Sequence, residues 1–170
     1  MPRAVLIGPP GAGKSSVARQ LGRILDCPVI DTDLVIEKKS GKSISEIFVE
    51  DGEARFRELE REVVLEELRS NDSVLALGGG SVLNAEVAES LREKSVPVIY
   101  LEVSISQAAP RVGFNKDRPL LTMNPRQQWL ALMEVRRPIY EGLARFTVNT
   151  DNRKPAEVAA QIAEFLGVAR

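Results

Sequence analysis

The sequence predicts an α/β protein in which helices cover both faces of a parallel β-sheet. Two observations support this prediction. Short apolar segments of strand character alternate with helical patterns along the 170 residues, and a glycine-rich loop joins the first predicted strand to the first predicted helix. Strands separated by helices run parallel, because each connection crosses over one face of the sheet. Such a sheet binds its ligand beyond the carboxyl ends of its strands.

Five segments have the apolar character of buried strands. These predicted strands are 4–7, 28–31, 73–76, 98–101 and 147–149. Apolar residues recur at helical spacing in the segments between and after them. The predicted helices are 14–25, 34–40, 44–51, 52–70, 85–93, 106–112, 125–144 and 155–166. Asn84 and Ser106 are candidate N-caps and Pro155 suits a first helical turn, whereas Pro110 fits a regular helix poorly.

Composition excludes several classes of function. With 44% hydrophobic and 28% charged residues, the chain is expected to form one globular domain over residues 1–170. The formal net charge of −1 lacks the basic footprint of a protein that binds nucleic acid or an anionic membrane. No apolar run approaches the roughly 20 residues that span a bilayer. Because there is no histidine, any catalytic base is a carboxylate, a lysine or water.

The single cysteine, Cys27, excludes an internal disulfide and suits a reducing compartment. We expect it to be a small buried apolar side chain. The chain enters directly into a predicted strand without a signal-peptide pattern. These features together predict a cytoplasmic protein.

A phosphate-binding pattern follows the first predicted strand. Residues 8–15 read GPPGAGKS and match G-x-x-x-x-G-K-[ST]. In this context the backbone N–H groups of the loop cradle phosphate oxygens at a helix N-terminus. Gly11 and Gly13 let the backbone approach the anion, because neither has a Cβ. Lys14 can then reach the β- and γ-phosphates, and the Ser15 hydroxyl can ligate Mg²⁺.

Polar and glycine-rich segments follow the next two predicted strands. Asp31 and Asp33 end the second strand, where one carboxylate can hold Mg²⁺ through water and the other can accept a proton from an attacking hydroxyl. A helix cap is the alternative role, and Asp33 is the candidate for it. Three glycines at 78–80 follow the third strand and permit close approach to a ligand; a flexible turn is the alternative.

Several arginines are candidates for binding anions. Arg57 has Glu60 three residues further along the same predicted helix, where the carboxylate can orient it. Arg118 lies in a stretch bounded by a glycine and a proline, either a mobile segment that closes over phosphates or a plain surface loop. Arg136 and Arg137 place two guanidinium groups on a helix, and guanidinium suits bidentate recognition of a carboxylate.

Six short motifs occur together in this order: GPPGAGKS, DTD at 31–33, F-R-x-x-E at 56–60, LGGGS at 77–81, RPLL at 118–121 and RRPIY at 136–140. In this combination, from residue 8 to about residue 155, the chain resembles the shikimate kinases. The resemblance implies the nucleoside monophosphate kinase fold: a three-layer α/β/α arrangement with a five-stranded parallel sheet, a phosphate loop, a substrate-binding region at about 32–61 and a mobile lid at about 112–124. It also implies transfer of the ATP γ-phosphoryl group to the 3-hydroxyl of shikimate, a step toward chorismate and the aromatic amino acids.

The resemblance further implies roles for individual residues. The implied catalytic residues are Lys14, Asp33 and Arg118. The implied ATP contacts are Gly11, Ala12, Gly13, Lys14, Ser15, Ser16, Arg111, Arg118, Arg153 and Pro155, of which Arg111, Arg153 and Pro155 lie near adenine. The implied acceptor contacts are Asp33, Arg57, Gly78, Gly79, Gly80 and Arg136. The Mg²⁺ cofactor would be held by Ser15 and, through water, by Asp31.

The implied partners are therefore ATP and shikimate, with neither nucleic acid nor membrane, and the chain is expected to be a monomer. Arg137 is an extra cation beside Arg136, which leaves open which of the two meets the carboxylate.

Other functions remain as alternatives. Another small-molecule kinase of the same fold, such as a gluconate kinase or a nucleoside monophosphate kinase, shares the phosphate loop, although no motif for a base-binding pocket is present. A GTP-dependent switch protein requires N-K-x-D, where residues 115–118 read NKDR, and D-x-x-G after the third strand, where the chain has LGG. A catalytically inactive binding module is disfavoured by the joint presence of Lys14, Ser15, Asp33 and Arg118.

Overall fold

The computed structural model describes residues 1–70, 72–93, 96–112 and 124–168. The strands in this part of the chain are β1 (Ala4–Ile7), β2 (Val29–Asp31), β3 (Val74–Ala76), β4 (Val98–Glu102) and β5 (Phe146–Asn149). The α-helices are α1 (Lys14–Leu25), α2 (Thr32–Ser40), α3 (Ile44–Glu50), α4 (Glu53–Ser70), α5 (Ala85–Arg92), α6 (Ile105–Val112), α7 (Pro125–Leu143) and α8 (Pro155–Phe165). A short 3₁₀ helix covers Ser81–Leu83.

The strands form one parallel sheet in the order β2-β3-β1-β4-β5. Strand β1 is central, and its four residues are at most 1% exposed, as expected for a strand covered on both faces. The register pairs Leu6 of β1 with Ala76 of β3, and Asp31 of β2 also pairs with Ala76. The carboxyl ends of β1, β2 and β3 therefore lie side by side at one edge of the sheet.

Helices cover both faces of the sheet. Helices α1 and α8 pack together, and α4, α5 and α7 pack in series away from them. In α1, Val17, Leu21 and Leu25 are buried, whereas Ile24 remains 37% exposed. The predicted three-layer α/β/α arrangement with a five-stranded parallel sheet is confirmed.

A second, smaller apolar cluster joins α2, α3 and α4. Its buried members are Ile36, Ile44, Ile47, Phe48, Phe56 and Val63. The rings of Phe48 and Phe56 lie 4.8 Å apart between centroids. Because α2 carries Asp33 and α4 carries Arg57, this cluster fixes the relative position of two predicted site residues.

Most predicted elements are confirmed to within one residue at each end. The exception is α2, which begins at Thr32, two residues earlier than predicted. The cause is that Asp31 is the N-cap: its carboxylate accepts hydrogen bonds from the backbone N–H groups of Asp33 and Leu34. The expected aspartate cap is therefore present, but it is Asp31 and not Asp33.

The predicted caps have mixed outcomes. Asn84 caps α5, and Pro155 occupies the first turn of α8, as predicted. Ser106 is not a cap, because α6 begins at Ile105 and the Ser104 carbonyl accepts the first helical hydrogen bonds. Pro110 lies inside α6. Among the described residues, no helix combines the length and apolar character needed to cross a membrane.

Candidate active site

The phosphate loop has backbone conformations that require glycine. Gly11 and Gly13 have φ angles of 87° and 86°, in the left-handed region that L-residues with side chains rarely adopt. Gly13 also occupies the N-cap position of α1, where no side chain caps the helix. The first N–H groups of α1 are therefore available to an anion.

Lys14 folds back over the loop that precedes it. Its Nζ donates hydrogen bonds to the carbonyl oxygens of Gly8, at 2.6 Å, and Pro9, at 3.0 Å. The ammonium group thus lies among the loop atoms, on the wall of the cavity that the loop surrounds.

Two distant side chains hold the next two carbonyl groups of the loop. Trp129 Nε1, from α7, donates to the carbonyl oxygen of Pro10 at 3.2 Å. Arg111 Nη1, from α6, donates to the carbonyl oxygen of Gly11 at 3.1 Å. Sequence reasoning singled out Arg111, but gave no role to Trp129.

A cavity of about 470 Å³ opens beside the loop. Its lining residues are Pro10, Gly11, Gly13, Lys14, Ser15, Ser16, Asp31, Asp33, Ala76, Leu77, Gly78, Gly79 and Arg111. The lining joins the phosphate loop to the ends of β2 and β3, so the loop shares this space with Asp33, Gly78 and Gly79 of the predicted acceptor site. Arg57, Gly80 and Arg136 are not among the described residues that line it.

Ser15 and Asp31 both line this cavity and are joined by a hydrogen bond. Ser15 Oγ donates to Asp31 Oδ2 at 2.5 Å, while Asp31 Oδ1 caps α2. The pair offers hydroxyl and carboxylate oxygens, which are hard ligands of the kind that Mg²⁺ prefers. These donors fit a Mg²⁺ that keeps most of its coordination from water and phosphate.

Thr32 fixes the start of the glycine run. Its side chain is fully buried, donates to the carbonyl oxygen of Ala76 and accepts from the N–H of Gly78, both at 3.3 Å. A Cβ on Gly78 would lie 2.8 Å from Asp33 Oδ1 and 2.8 Å from Glu60 Oε2. Two carboxylates therefore flank the Gly78 backbone, and only glycine leaves room for them.

Arg57 and Glu60 form a partly buried ion pair beside the glycine run. Arg57 Nη1 lies 2.7 Å from Glu60 Oε1, and Glu60 is only 2% exposed. A Cβ on Gly80 would lie 2.7 Å from Arg57 Nη2. The prediction that Glu60 orients Arg57 is confirmed as a contact.

Helix α7 contacts Gly79 through two side chains. Arg136 is 5% exposed, and a Cβ on Gly79 would lie 3.3 Å from its Nη1. One helical turn further on, Tyr140 Oη donates to the Gly79 carbonyl oxygen at 2.6 Å.

The neighbouring Arg137 is exposed, and its charge acts on Tyr100. Burial raises the pKa of the Tyr100 phenol, and the nearby positive charge of Arg137 partly opposes that shift. Of the two adjacent arginines, Arg136 is the one placed beside the predicted acceptor site.

Some predicted residues lie elsewhere. Arg153 follows β5, where its guanidinium donates to the carbonyl oxygens of Asn149 and Glu157. Neither Arg153 nor Pro155 is among the described residues that line the cavity. Arg118 lies outside the described residues, as does most of the predicted lid.

Thr32, Trp129 and Tyr140 are the contributors that sequence reasoning missed. Thr32 and Tyr140 stand within the DTD and RRPIY motifs, which is the only signal that marks them. Trp129 stands in no motif, and its partner Pro10 is 119 positions away in the chain.

A parallel α/β sheet, a phosphate loop on its central strand and a polar cavity at its carboxyl edge define a nucleotide-binding protein of the P-loop class. Residues 10–167 match the family model described as shikimate kinase. The chain belongs to the shikimate kinase family, and it is an ATP-dependent kinase.

Relatives and solved structures agree with this assignment. The chain is 51% identical to a shikimate kinase of Thermobifida fusca, over 99% of this chain and 96% of that protein. It is 46% identical to one of Rhodococcus jostii, over 97% and 98%. The structure of a shikimate kinase from Acinetobacter baumannii in complex with shikimate superimposes with a TM-score of 0.92 at 35% identity, covering 98% of this chain and 93% of that one.

Proposed function

We propose that this kinase transfers the γ-phosphoryl group of ATP to the 3-hydroxyl of shikimate, giving shikimate 3-phosphate and ADP for the synthesis of chorismate and aromatic amino acids. The arrangement around residues 78–80 carries the proposal. Two guanidinium groups and two carboxylates surround this backbone, next to the phosphate loop. A small anion that carries several hydroxyls needs cations for its carboxylate and a carboxylate for its hydroxyls.

The phosphate loop would hold ATP. The N–H groups at the start of α1 and the Lys14 ammonium meet the phosphates, and the Ser15 hydroxyl meets the metal. Asp31, whose Oδ2 accepts the Ser15 hydroxyl at 2.5 Å, would act on the metal through water. A bound Mg²⁺ would neutralise charge on the phosphates. The implied nucleotide contacts of Ala12, Ser16, Arg111, Arg153 and Pro155 belong to the same proposal.

The glycine run would hold the acceptor. Arg57 and Arg136 bind the carboxylate from two sides, and the backbone of 78–80 lies against the ring. Asp33 Oδ1, beside Gly78, orients the attacking hydroxyl and accepts its proton. Phosphoryl transfer depends mainly on positioning and charge stabilisation, so a chain without histidine is adequate.

The wider organisation is proposed on the same basis. The chain would form one domain, with a substrate-binding region at about 32–61 and a lid at about 112–124 that brings Arg118 to the transferred phosphoryl group. It would act as a monomer in the cytoplasm, where a reducing environment suits the lone Cys27.

The test is ADP release with Mg²⁺ and ATP across shikimate, quinate, gluconate and nucleoside monophosphates. We expect shikimate to give the highest kcat/KM. The matched control is Lys14→Ala, which removes a charge aimed at phosphate and should abolish transfer while circular dichroism stays unchanged. Strong preference for gluconate or a nucleotide would show the acceptor to be wrong, and near wild-type turnover of Lys14→Ala would remove that lysine from the mechanism.

A further inference from the structure

Trp129 is the only tryptophan of the chain, and its indole is nearly buried, at 6% exposure, on the face of α7 that also carries Arg136 and Tyr140. Its N–H does not point to solvent. It donates to the carbonyl oxygen of Pro10, within the phosphate loop, at 3.2 Å. A buried indole N–H needs a partner, and here the partner is the backbone of the candidate nucleotide site.

The hydrogen bond from Trp129 also restricts the orientation of the peptide group between Pro10 and Gly11. In a planar trans peptide the C=O and the following N–H point in opposite directions. Both residues line the cavity, and Trp129 holds the carbonyl from the side of α7. The Gly11 N–H is thereby directed to the side of the peptide opposite the Trp129 contact.

Neighbouring contacts restrict the same peptide from two other directions. The Gly11 Cα packs so tightly on α6 that a Cβ there would lie 2.9 Å from the Ala108 carbonyl oxygen. Pro10 meets the glycine run, since a Cβ on Gly79 would lie 3.2 Å from Pro10 Cδ. Pro10 itself has no N–H, so its carbonyl is its only backbone hydrogen-bonding group.

We propose that Trp129 is a positioning residue of the phosphate loop: its indole N–H fixes the Pro10–Gly11 peptide so that the Gly11 N–H meets a nucleotide phosphate. The inference takes from the proposed function only that ATP occupies the cavity. It does not depend on the identity of the acceptor.

The single tryptophan permits a test at one atom. Replacing tryptophan by β-(3-benzothienyl)alanine during synthesis alters residue 129 alone and exchanges the N–H for sulfur with nearly the same ring shape. We expect ADP affinity by titration calorimetry to fall about 3- to 10-fold, the loss of one modest hydrogen bond. The KM for ATP should rise similarly, with the KM for the acceptor changed less than twofold and the melting temperature close to wild type.

Two further variants separate positioning from packing. Trp129→Phe should reproduce the loss of ADP affinity with some loss of stability, because it also removes ring volume. Leu130→Ala, at a neighbouring residue that is 45% exposed, should leave ADP affinity unchanged. In the wild type, ADP should shift the emission of Trp129.

ADP affinity within twofold of wild type in the benzothienyl protein would overturn the proposal. So would equal changes in both KM values that track a fall in melting temperature, since these would show a packing role only. If shikimate is not phosphorylated, the proposed acceptor fails while the ADP comparison still decides the role of Trp129.

Discussion

The hydroxyl of Tyr140 lies 2.6 Å from the carbonyl oxygen of Gly79, although the two residues are 61 positions apart in the chain. Both residues are buried, and the Tyr140 ring also stacks on Tyr100 with centroids 5.1 Å apart. Helix α7 thus holds the middle of the glycine run through a bond to its backbone, so the shape of the candidate acceptor site depends on a residue that need not touch the acceptor.

Tyr140→Phe should loosen the glycine run. The change leaves a buried carbonyl without its donor, and we expect the free energy of unfolding to fall by about 1–3 kcal/mol. The KM for shikimate should rise while the KM for ATP changes little. Denaturant unfolding and both Michaelis constants measure this. Tyr100→Phe is the control, because the Tyr100 hydroxyl makes no hydrogen bond to any described residue; an equal effect on the shikimate KM in that variant would contradict the role of the bond to Gly79.

Gly80→Ala should displace Arg57. The backbone at Gly80 has a φ of −92°, which alanine adopts without strain, but the new Cβ would crowd Nη2 and Cζ of Arg57, at 2.7 and 2.8 Å. We expect the shikimate KM to rise about tenfold or more, as a charge-assisted contact is lost. Gly142→Ala in α7 is the control: its Cβ meets nothing within 4 Å, and helix propensity predicts a gain of up to about 1 kcal/mol. An unaltered shikimate KM in Gly80→Ala would contradict the role of Arg57, because it would show that moving the guanidinium does not affect acceptor binding.

Arg136→Lys should weaken acceptor binding more than nucleotide binding. Lysine keeps the charge but lacks the planar fork of two parallel donors, so the shikimate KM should rise about tenfold. Arg137→Ala should be mild, because Arg137 is exposed, whereas Arg136 is buried beside Gly79. The two KM values for each variant decide the matter, and the reverse ranking would mean that Arg137 meets the carboxylate.

Asp33→Asn should lower kcat by about 100-fold or more, since an amide of the same size cannot accept the proton of the attacking hydroxyl. Steady-state kinetics at varied Mg²⁺ measure the effect. A variant with normal kcat that merely requires more Mg²⁺ would assign Asp33 to the metal and reverse its role with that of Asp31.

Burial raises the pKa of the Cys27 thiol above its ordinary value of 9.0, with the Arg3 charge opposing the shift. The protonated thiol is therefore favoured in the folded protein, so Cys27 supports stability at lower pH and that support is lost as pH rises through the folded pKa. We expect iodoacetamide to react more slowly at pH 8.5 with the native protein than with the urea-unfolded chain. If the alkylation rate of the native protein rises with pH at a midpoint at or below that of the unfolded chain, the shift is contradicted.

The Cys27 side chain is only half-buried, whereas the sequence predicted a buried side chain.

Local chemistry made much of this fold predictable. The strand–loop–helix order around residues 8–15 and the helical spacing in α1 depend on neighbours in the chain, and the structure agrees with both. The Arg57–Glu60 contact was also predictable, because residues three apart share a helix face.

What the sequence did not reveal depends on distant contacts or on competition between similar residues. Asp31 and Asp33 are both acceptable caps, and the choice of Asp31 follows from where β2 ends. Helix α6 begins directly after Ser104 rather than after Ser106, and the Ser104 N–H donates to Asp151. Thr32 meets Ala76 and Gly78, and Trp129 meets Pro10, only after the sheet has assembled.

The strand order places the residues proposed to bind the acceptor on two separate segments of the chain. On one flank of β1, the segment from β2 to the 3₁₀ helix supplies Asp33, Arg57 and the glycine run; the other flank leads through β4 to α7. Yet α7 sends Arg136 and Tyr140 back across the centre to Gly79. A recombination event that exchanges residues 29–83 alone would therefore transfer the glycine run without Arg136 and Tyr140, the two α7 residues that contact it. If these residues bind the acceptor as proposed, its recognition depends on two separate segments of the chain, residues 29–83 and α7.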